Sequence, residues 1–405
     1  WLGCAFMSVS IAQYRQSIPA LQNKTYFNYG GQGPMGINAL GSIQAAHQTI
    51  QSLGPFGSAV NQWMQAEGEK TRRVLADDLG VAPQTIVLTE DVTVGCNIAL
   101  WGMPWNSGDH ILLSDCEHPG IFATVYELQR RYGLEVSVFP HLSQLNSANP
   151  VATIQAHLRP TTRLVVASHI LWNTGQLMPL TEICQLCHDR PRPVRVLSDA
   201  AQSVGMLPLR LAETGVDFYA FTGHKWCCGP AGLGGLYVSP EAMVDLAPTF
   251  IGWRGITMGK QGQPTGWQPD ARRYEVATSN VALCSGLRVA IATHNDWGTT
   301  EERYFRICQL SSYLWGKLNS LRSVHCLLKS PPESGLVSFQ IFQGGDHSPK
   351  LHQTLVTYLE SQQFYLRTLL SPSCVRACIH YFSTESEIDH LIDAIERFLQ
   401  SHITD

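Results

Sequence analysis

The sequence predicts an α/β fold in which a large domain with a mostly parallel seven-stranded sheet, flanked by helices, precedes a smaller α+β domain. The chain has 405 residues, 44% of them hydrophobic and 15% charged, which is enough length and apolar content for a large core and an oligomer contact. Short β-rich runs alternate with longer helical patterns, as in a parallel sheet covered on both faces. The seven runs are 85–89, 110–115, 135–141, 163–170, 194–200, 217–223 and 234–239.

The segments between these runs have the periodicity of amphipathic helices. Residues 121–133 (IFATVYELQRRYG) and 179–190 (PLTEICQLCHDR) carry apolar residues three and four positions apart. Sheets of this kind bind ligands at the carboxyl ends of their strands. We therefore look for the site in the residues that directly follow each run.

The C-terminal third has a different pattern, typical of a smaller α+β domain. A stretch rich in Gly, Pro and Gln, residues 252–270, lacks periodicity and is expected to form a long functional loop. We predict an N-terminal segment 7–22 that packs with the small domain, a large domain 23–285 and a small domain 286–405. The predicted helices beyond the loop are 285–298, 301–318 and 385–400, and the predicted strands are 335–342, 365–370 and 375–382.

Charge and composition exclude several classes of protein. The chain has 28 Lys and Arg against 32 Asp and Glu, a formal charge of −4, so it lacks a basic field for nucleic acid or anionic lipid. No apolar run reaches the roughly 18 residues of a membrane span. The partner expected is a small molecule, with no nucleic acid and no membrane.

The cysteines and the first residues bear on the compartment. Twelve cysteines are scattered along the chain, which does not match a disulfide framework and favours a reducing cytoplasm. The opening WLGCAFMSVS lacks the basic and apolar regions of a signal peptide. We expect residues 1–6, which precede Met7, to lie outside the fold.

The densest group of chemically active residues runs from Ser198 to Gly235. Asp199 ends an apolar strand and Lys225 follows the next strand after a short turn, so both should emerge at one edge of the sheet. Lys225 is embedded in FTGHKW, an unusual position for a solubilising lysine. Upstream, Thr93 begins a helix after a strand, where its hydroxyl and the first backbone N–H groups would face an anion such as phosphate.

Several ordered motifs together carry a resemblance. SDAAQSVG, TGHKW, SHILWNTG, CEHPG and RYEVATSN resemble the class V aminotransferase-like family of fold type I pyridoxal-phosphate (PLP) enzymes, which includes cysteine desulfurases, kynureninases and C–S lyases. The resemblance extends from YFNYGG near residue 26 to CVRACIHYF. Within the family the chain is most similar to the L-cysteine/cystine C–S lyases, through FNYGGQG, VTVGCN, DCEHPGI, LWNTGQ, FTGHKW, GWR and LRT.

The resemblance implies roles for the residues around a bound PLP. Lys225 would join the cofactor as a Schiff base, Asp199 would pair with its pyridine nitrogen, and His118 would lie over the ring. Gln202, one helical turn beyond Asp199, would reach the phenolic oxygen. The implied phosphate contacts are Thr93, Val94, Thr222 and His224, joined by Thr278 from the neighbouring subunit of a homodimer with sites at its interface.

The substrate residues are implied in the same way. Asn173 and Arg376 would bind the substrate carboxylate, since a planar guanidinium holds a carboxylate through two hydrogen bonds. Arg367 would stand close by, and Trp253 would wall the substrate pocket. No metal ligand is expected.

The expected reaction is β-elimination from cystine or cysteine, which gives persulfide or sulfide, pyruvate and ammonia. The runner-up is a cysteine desulfurase, which passes sulfur through a persulfide on a flexible-loop cysteine. The matching stretch, residues 367–376, is short and offers only Cys374, two positions before Arg376. A weaker alternative is a PLP-binding scaffold without catalysis. The preferred substrate, the sulfur acceptor and a link to iron–sulfur assembly stay open.

Three motifs compete with this interpretation. Cys184, Cys187 and His188 form C-x-x-C-H, the haem-attachment pattern, but they lie in a predicted amphipathic helix where cysteines act as core fillers. Ser203 in AQSVG lacks the first glycine of a hydrolase elbow and is expected to be an ordinary helix residue. The glycine-rich stretch 229–235 precedes a strand, which argues against a dinucleotide site.

Overall fold

The large sheet contains seven strands, all of them close to the predicted runs. In the computed structural model, which describes residues 10–403, the strand order is β2-β8-β7-β6-β5-β3-β4, and β8 alone runs antiparallel to its neighbours. The predicted α/β fold with a mostly parallel seven-stranded sheet is therefore confirmed. The strands are β2 Ile86–Thr89, β3 His110–Ser114, β4 Glu135–Phe139, β5 Thr162–Val166, β6 Arg195–Asp199, β7 Phe218–Thr222 and β8 Gly234–Val238.

Helices cover the large sheet and continue into the C-terminal part. The five central strands are buried along their whole length or nearly so, which explains their unbroken runs of apolar residues. The helices are α1 Ile11–Gln16, α2 Ile37–Leu53, α3 Ser58–Leu79, α4 Val92–Gly102, α5 Pro119–Tyr132, α6 Pro150–His157, α7 Leu180–His188, α8 Leu211–Thr214, α9 Pro240–Met243, α10 Ala282–Trp297, α11 Thr300–Asn319, α12 Pro349–Ser361 and α13 Glu385–His402.

A second, antiparallel sheet lies in the C-terminal part, in the order β11-β12-β16-β15 with β13 beside β12. Its apolar face packs with α11, α12 and α13 in a core separate from that of the large sheet. The two sheets fall on opposite sides of the predicted boundary at residue 285. The strands are β11 Val324–Cys326, β12 Leu336–Gln343, β13 Asp346–His347, β15 Arg367–Leu370 and β16 Ser373–Cys378.

The first described residues pack against the C-terminal part of the chain. Strand β1 (Thr25–Tyr26) pairs in parallel with β14 (Phe364–Tyr365), and the Arg15 guanidinium lies 2.6 Å from the Glu387 carboxylate. The expectation for residues 1–6 falls outside the described residues. Between residues 10 and 403, no helix has both the length and the apolar character needed to cross a bilayer.

Two local predictions were wrong. The stretch 252–270 is not simply a loop but contains an antiparallel hairpin, β9 (Ile256–Met258) with β10 (Pro264–Trp267). Because β10 is exposed along its length, no alternation of apolar and polar residues marked it. Ser203 lies in a run of turns after β6 rather than in a helix, and this run reaches Gly205, whose φ of 88° interrupts a right-handed helix.

Candidate active site

The carboxyl ends of the central strands meet at one edge of the large sheet and surround a cavity of about 180 Å³. Strands β2, β3, β6 and β7 each deliver a polar residue at their carboxyl end or directly after it, as the topology predicts. The cavity is lined by Asp91, Val92, Thr93, His118, Gly120, Ile121, Asp199, Ala201, His224 and Lys225. Five of the predicted site residues are therefore brought together: Thr93, His118, Asp199, His224 and Lys225.

Lys225 and Asp199 share this cavity as the sequence predicts. Asp199 ends β6, is 8% exposed and accepts a hydrogen bond from the Ala201 N–H through Oδ1 at 2.9 Å. Burial lowers the pKa of the Lys225 amine to about 8, although the negative charge of Asp199 opposes this shift. The site thus contains an amine that loses its proton more readily than an ordinary lysine. Beside it lies a carboxylate that can accept a hydrogen bond from a ligand N–H group.

The predicted phosphate residues lie in two neighbouring places. Helix α4 begins after Asp91, whose carboxylate caps it by accepting the Val94 N–H at 2.9 Å. Val94 itself does not line the cavity, and its N–H is engaged by this cap, so the structure does not bring Val94 together with the other predicted contacts. At the end of β7, the Thr222 hydroxyl and His224 Nδ1 are hydrogen-bonded at 2.6 Å, and of the two only His224 lines the cavity.

His118 caps helix α5 at the mouth of the cavity. Its Nδ1 accepts the Gly120 N–H at 3.2 Å, so a neutral ring carries its proton on Nε2. Partial burial lowers the pKa of His118, which favours this neutral form. The edge of its ring meets Trp172, with the ring centroids 5.6 Å apart.

Gln202 is buried behind the cavity rather than on its wall. Its Nε2 donates to the Gly30 carbonyl at 3.0 Å, and its Oε1 accepts the Trp226 indole N–H at 2.9 Å. The prediction that Gln202 lies one helical turn beyond Asp199 was wrong, because residues 201–206 form turns. One N–H of its amide is still available to a ligand, as an amide nitrogen has two.

Arg376 is a buried cation with side-chain donors that have no partner among the described residues. It lies in β16 and is completely buried, yet its Nη1 donates only to the Trp172 carbonyl at 2.6 Å, while Nε and Nη2 have no protein partner among the described residues. A buried cation without partners is costly, so this geometry fits an anion such as a carboxylate. Gly30 permits the close approach, since a Cβ there would lie 2.9 Å from Arg376 Nη2.

Arg367 and Asn173 flank Arg376 as predicted. Arg367 is paired with Arg376 across strands β15 and β16, which places both side chains on one face of the sheet. Burial and the neighbouring charge of Arg376 lower the pKa of Arg367. Asn173 is 2% exposed, donates to the Ser371 carbonyl at 3.0 Å and has a buried Oδ1 without a partner among residues 10–403.

Trp253 and Thr278 lie elsewhere in the single chain. Both line a second cavity of about 410 Å³ that does not include Lys225. Within one chain, therefore, Trp253 does not wall the pocket around Lys225, contrary to the prediction. Trp253 is 62% exposed and Thr278 is exposed, so both are available to another subunit.

Two residues of this region were missed by the sequence interpretation. Asp91 lines the cavity and could have been found as a helix cap directly after a strand. Glu117, beside His118, is 3% exposed and accepts hydrogen bonds from the Ser168 N–H and hydroxyl at 2.9 and 2.7 Å. Burial raises the pKa of Glu117 to about 8. It ties the loop that carries His118 to the end of β5.

The competing motif C-x-x-C-H is part of the core. Cys184 and Cys187 lie on the buried side of α7, at 1% and 0% exposure, and His188 Nε2 is 3.0 Å from the Asp217 carboxylate. Burial raises the pKa of both thiols. The interpretation of these cysteines as core fillers is consistent with this placement.

Comparison with protein families identifies the architecture. The model of the aminotransferase class-V family matches residues 46–391. The chain belongs to the aminotransferase class V family. The predicted family and the fold type I architecture are thereby confirmed. The cysteine desulfurase CsdA from Escherichia coli has the same fold, with 23% sequence identity and a TM-score of 0.83.

The relatives of this chain are named for different enzymatic activities. Isopenicillin N epimerase from Streptomyces clavuligerus is 28% identical over 81% of this chain and 83% of its own length, and a probable cysteine desulfurase from Methanothermobacter thermautotrophicus is 25% identical over 94% and 96%. The cystine C–S lyase C-DES, solved in complex with its reaction product cysteine persulfide, is 48% identical with a TM-score of 0.90 over 94% of this chain and 99% of its own. A C-DES variant with glycine covalently linked to its PLP cofactor has a TM-score of 0.91.

Proposed function

We propose that the protein is a PLP-dependent C–S lyase that acts on cystine or cysteine by β-elimination and releases persulfide or sulfide, pyruvate and ammonia. The single observation that carries the choice of reaction is the burial of Cys374 within a strand. The likeness to the cystine C–S lyase C-DES at 48% identity supports the same choice. The expectation that the chain is an enzyme is confirmed by its family and by this neighbour.

Pyridoxal phosphate is the cofactor, as predicted. The donor set of the Lys225 cavity fits it, because an amine, a carboxylate, and hydroxyl and imidazole groups near a helix N-terminus face one space. When bound, PLP supplies an electron sink for the charge left at the substrate Cα after deprotonation. Thr93, Thr222 and His224 would hold its phosphate, and His118 would cover its ring.

The residues of the chain divide the remaining work. Asp199 would keep a proton on the ring nitrogen, since a buried carboxylate beside an N–H favours the charged form of that group. The Lys225 amine, whose pKa burial lowers to about 8, would take up the proton from the substrate Cα. Arg376 binds the substrate carboxylate through its free Nε and Nη2, and Arg367 adds positive charge on the same face.

The position of Cys374 supports elimination over sulfur transfer. It lies in β16, paired with Leu369 of β15, and is completely buried. Burial raises the pKa of its thiol to about 12, so almost no thiolate is present at neutral pH. Only two residues connect β15 with β16, which leaves no loop that could carry this cysteine to a substrate. A persulfide relay through Cys374 therefore has no structural support.

The deciding experiment is product analysis on PLP-loaded protein with cystine and with cysteine. We expect stoichiometric pyruvate from cystine, and the Cys374→Ala variant should retain its rate within about twofold because the thiol takes no part. Alanine formation with sulfur transfer, lost in Cys374→Ala, would reject elimination in favour of the desulfurase. A persulfide product would also suit sulfur supply to iron–sulfur assembly, which we propose as a downstream use.

We also propose that the protein forms a homodimer with its sites at the interface, in the cytoplasm. The surface beside Trp253 and Thr278 supports the first part, because it exposes Phe250, Ile251 and Met258 at 55–60%. The cysteines described between residues 10 and 403 are unpaired, which favours a reducing compartment. Light scattering of the purified protein tests the dimer, and a monomer at micromolar concentration would contradict it.

A further inference from the structure

The segment that carries Lys225 belongs to neither a helix nor a strand. It follows β7 and precedes β8, so its carbonyls have no regular partners and must be satisfied from elsewhere. The His224 carbonyl accepts the Gly33 N–H at 2.7 Å, and the Lys225 carbonyl accepts the Cys228 N–H at 3.0 Å. The segment also contains a left-handed residue, Cys228, with φ of 49°. Its conformation therefore depends on contacts from outside.

Two histidines supply the next two contacts. His380 Nε2 donates to the Trp226 carbonyl at 2.9 Å, and His294 Nε2 donates to the Cys227 carbonyl at 2.9 Å. The two rings are stacked with their centroids 5.4 Å apart. Both are buried, at 0% and 4% exposure, and neither lines the Lys225 cavity. They act on the backbone directly after the lysine rather than on a ligand.

The hydrogen bonds of these rings define their protonation. His380 Nδ1 accepts the Tyr381 backbone N–H at 3.0 Å, and His294 Nδ1 accepts the Tyr381 hydroxyl at 3.0 Å. With Nε2 donating and Nδ1 accepting, each ring is the neutral tautomer. Burial lowers the pKa of His294 to about 3 and that of His380 well below its usual range, so both stay neutral at physiological pH.

The same histidines lie near Cys228 in a group that resembles a metal site. The candidate ligand atoms of Cys228, His294 and His380 lie within 4.8 Å of one another. However, all four imidazole nitrogens are already engaged in the hydrogen bonds above, and burial raises the pKa of the Cys228 thiol far above its usual range. A metal would have to break these bonds and deprotonate the thiol. The group is better explained as a hydrogen-bonded support.

The position of His380 in the chain connects this support to the substrate site. It follows β16 and lies four residues beyond Arg376, the guanidinium with free donors. One short segment therefore carries both the proposed carboxylate anchor and a hydrogen bond to the lysine turn. We propose that His380 and His294 are positioning residues, which hold the Lys225 turn in register with Arg376 so that the amine faces the substrate Cα. This inference rests on the proposed function for the identity of the reacting groups.

The test compares three variants of the PLP-loaded protein. His380→Phe keeps a ring that can stack on Phe382, whose centroid is 4.3 Å away, but loses the donor to the Trp226 carbonyl. His380→Gln keeps a side-chain N–H donor. The matched control is His110→Phe, because His110 is equally buried and is hydrogen-bonded to Thr162 at 2.8 Å. His110 is the first residue of β3, so it lies at the amino ends of the strands, away from the Lys225 cavity at their carboxyl ends.

Two measurements are read together, the pH midpoint of the visible absorption of the lysine-bound cofactor, and kcat and KM with cystine. We expect His380→Phe to shift the midpoint by about half a unit or more and to lower kcat about tenfold, with KM nearly unchanged, because a misplaced amine slows proton transfer. The His380→Gln variant should have a pH midpoint and a kcat close to those of the wild-type protein. The His110→Phe variant should lose about as much thermal stability as His380→Phe, but its pH midpoint and kcat should not change.

An unchanged midpoint and kcat in a folded His380→Phe variant, or equal changes in His110→Phe, would overturn the inference. Stoichiometric zinc in the purified protein would also overturn the inference, because the group of Cys228, His294 and His380 would then be a metal site. If His380→Phe does not fold, His294→Phe, which keeps a ring but loses the donor towards the Cys227 carbonyl, gives the same comparison: a wild-type midpoint with a wild-type kcat would overturn the inference. The midpoint is measured without substrate, so a failure of the proposed lyase reaction leaves this readout intact and separable.

Discussion

The Lys225 cavity and the cavity at Trp253 and Thr278 differ in how far one subunit completes them. The Lys225 cavity gathers an amine, two carboxylates and two imidazoles from strand ends of a single sheet. The cavity at Trp253 and Thr278 has exposed walls, and the buried Arg72 beside it has Nε and Nη1 without partners among the described residues. The difference indicates that the sheet topology alone builds the chemical centre, whereas the second cavity is a surface that another chain is expected to cover.

The largest effect should come from the centre of the first cavity. Lys225→Ala removes both the attachment point of the cofactor and the proposed base, so we expect turnover to fall by about 10³-fold or more. Borohydride should also fail to fix the cofactor to the protein. Lys70→Ala is the control, because Lys70 is an exposed lysine outside the cavity, with its ammonium 3.0 Å from the carboxylate of Glu67. Undiminished borohydride labelling in Lys225→Ala would place the attachment elsewhere.

The next effect separates binding from chemistry. Arg376→Lys keeps the charge but loses the planar fork, so kcat/KM with cystine should fall about 10²-fold, mostly through KM. The visible spectrum of the bound cofactor should not change, since Arg376 is proposed to bind substrate. Arg367→Lys, on the exposed partner of the same strand pair, should cost less. A spectral change without a KM change would show that Arg376 serves the cofactor instead.

A third, smaller effect tests whether the second cavity works across subunits. Thr278→Ala alone should lower activity about tenfold through weaker phosphate binding. Co-expression with the inert Lys225→Ala chain should then raise the activity per Lys225-bearing chain, because mixed dimers contain one site with both residues intact. If Thr278 serves its own chain, the activity per Lys225-bearing chain should stay unchanged on mixing with the inert chain.

The smallest effect is a shift in a pH midpoint. Only the neutral Lys225 amine can attack the cofactor, and burial lowers its pKa to about 8. Attachment of PLP to cofactor-free protein should therefore accelerate from pH 6 to 8 and level off above. Since the Asp199 charge raises this pKa, Asp199→Asn should move the midpoint to lower pH. Stopped-flow absorbance measures it, and a midpoint near 10 would show that the amine is solvated.

Much of the chemical centre could be predicted from the sequence for a physical reason. Buried parallel strands are continuous apolar runs, and their carboxyl ends must meet at one edge, so strand order alone places Asp199 and Lys225 together. The family resemblance placed His118, and the same rule located Thr93. It failed where no periodic pattern exists, as in the exposed hairpin β9–β10 and in the turns that hold Gln202 and Ser203.

Local patterns along the chain were thus sufficient to predict the seven strands and the lysine–aspartate pair, because burial and strand direction depend on nearby residues. The resemblance of several ordered motifs predicted the family. Long-range contacts decided the rest. The single carbonyl partner of Arg376 and the histidines that hold the Trp226 and Cys227 carbonyls depend on residues about 70 to 200 positions apart. No local pattern encodes such pairs, because they arise only when separate elements pack together.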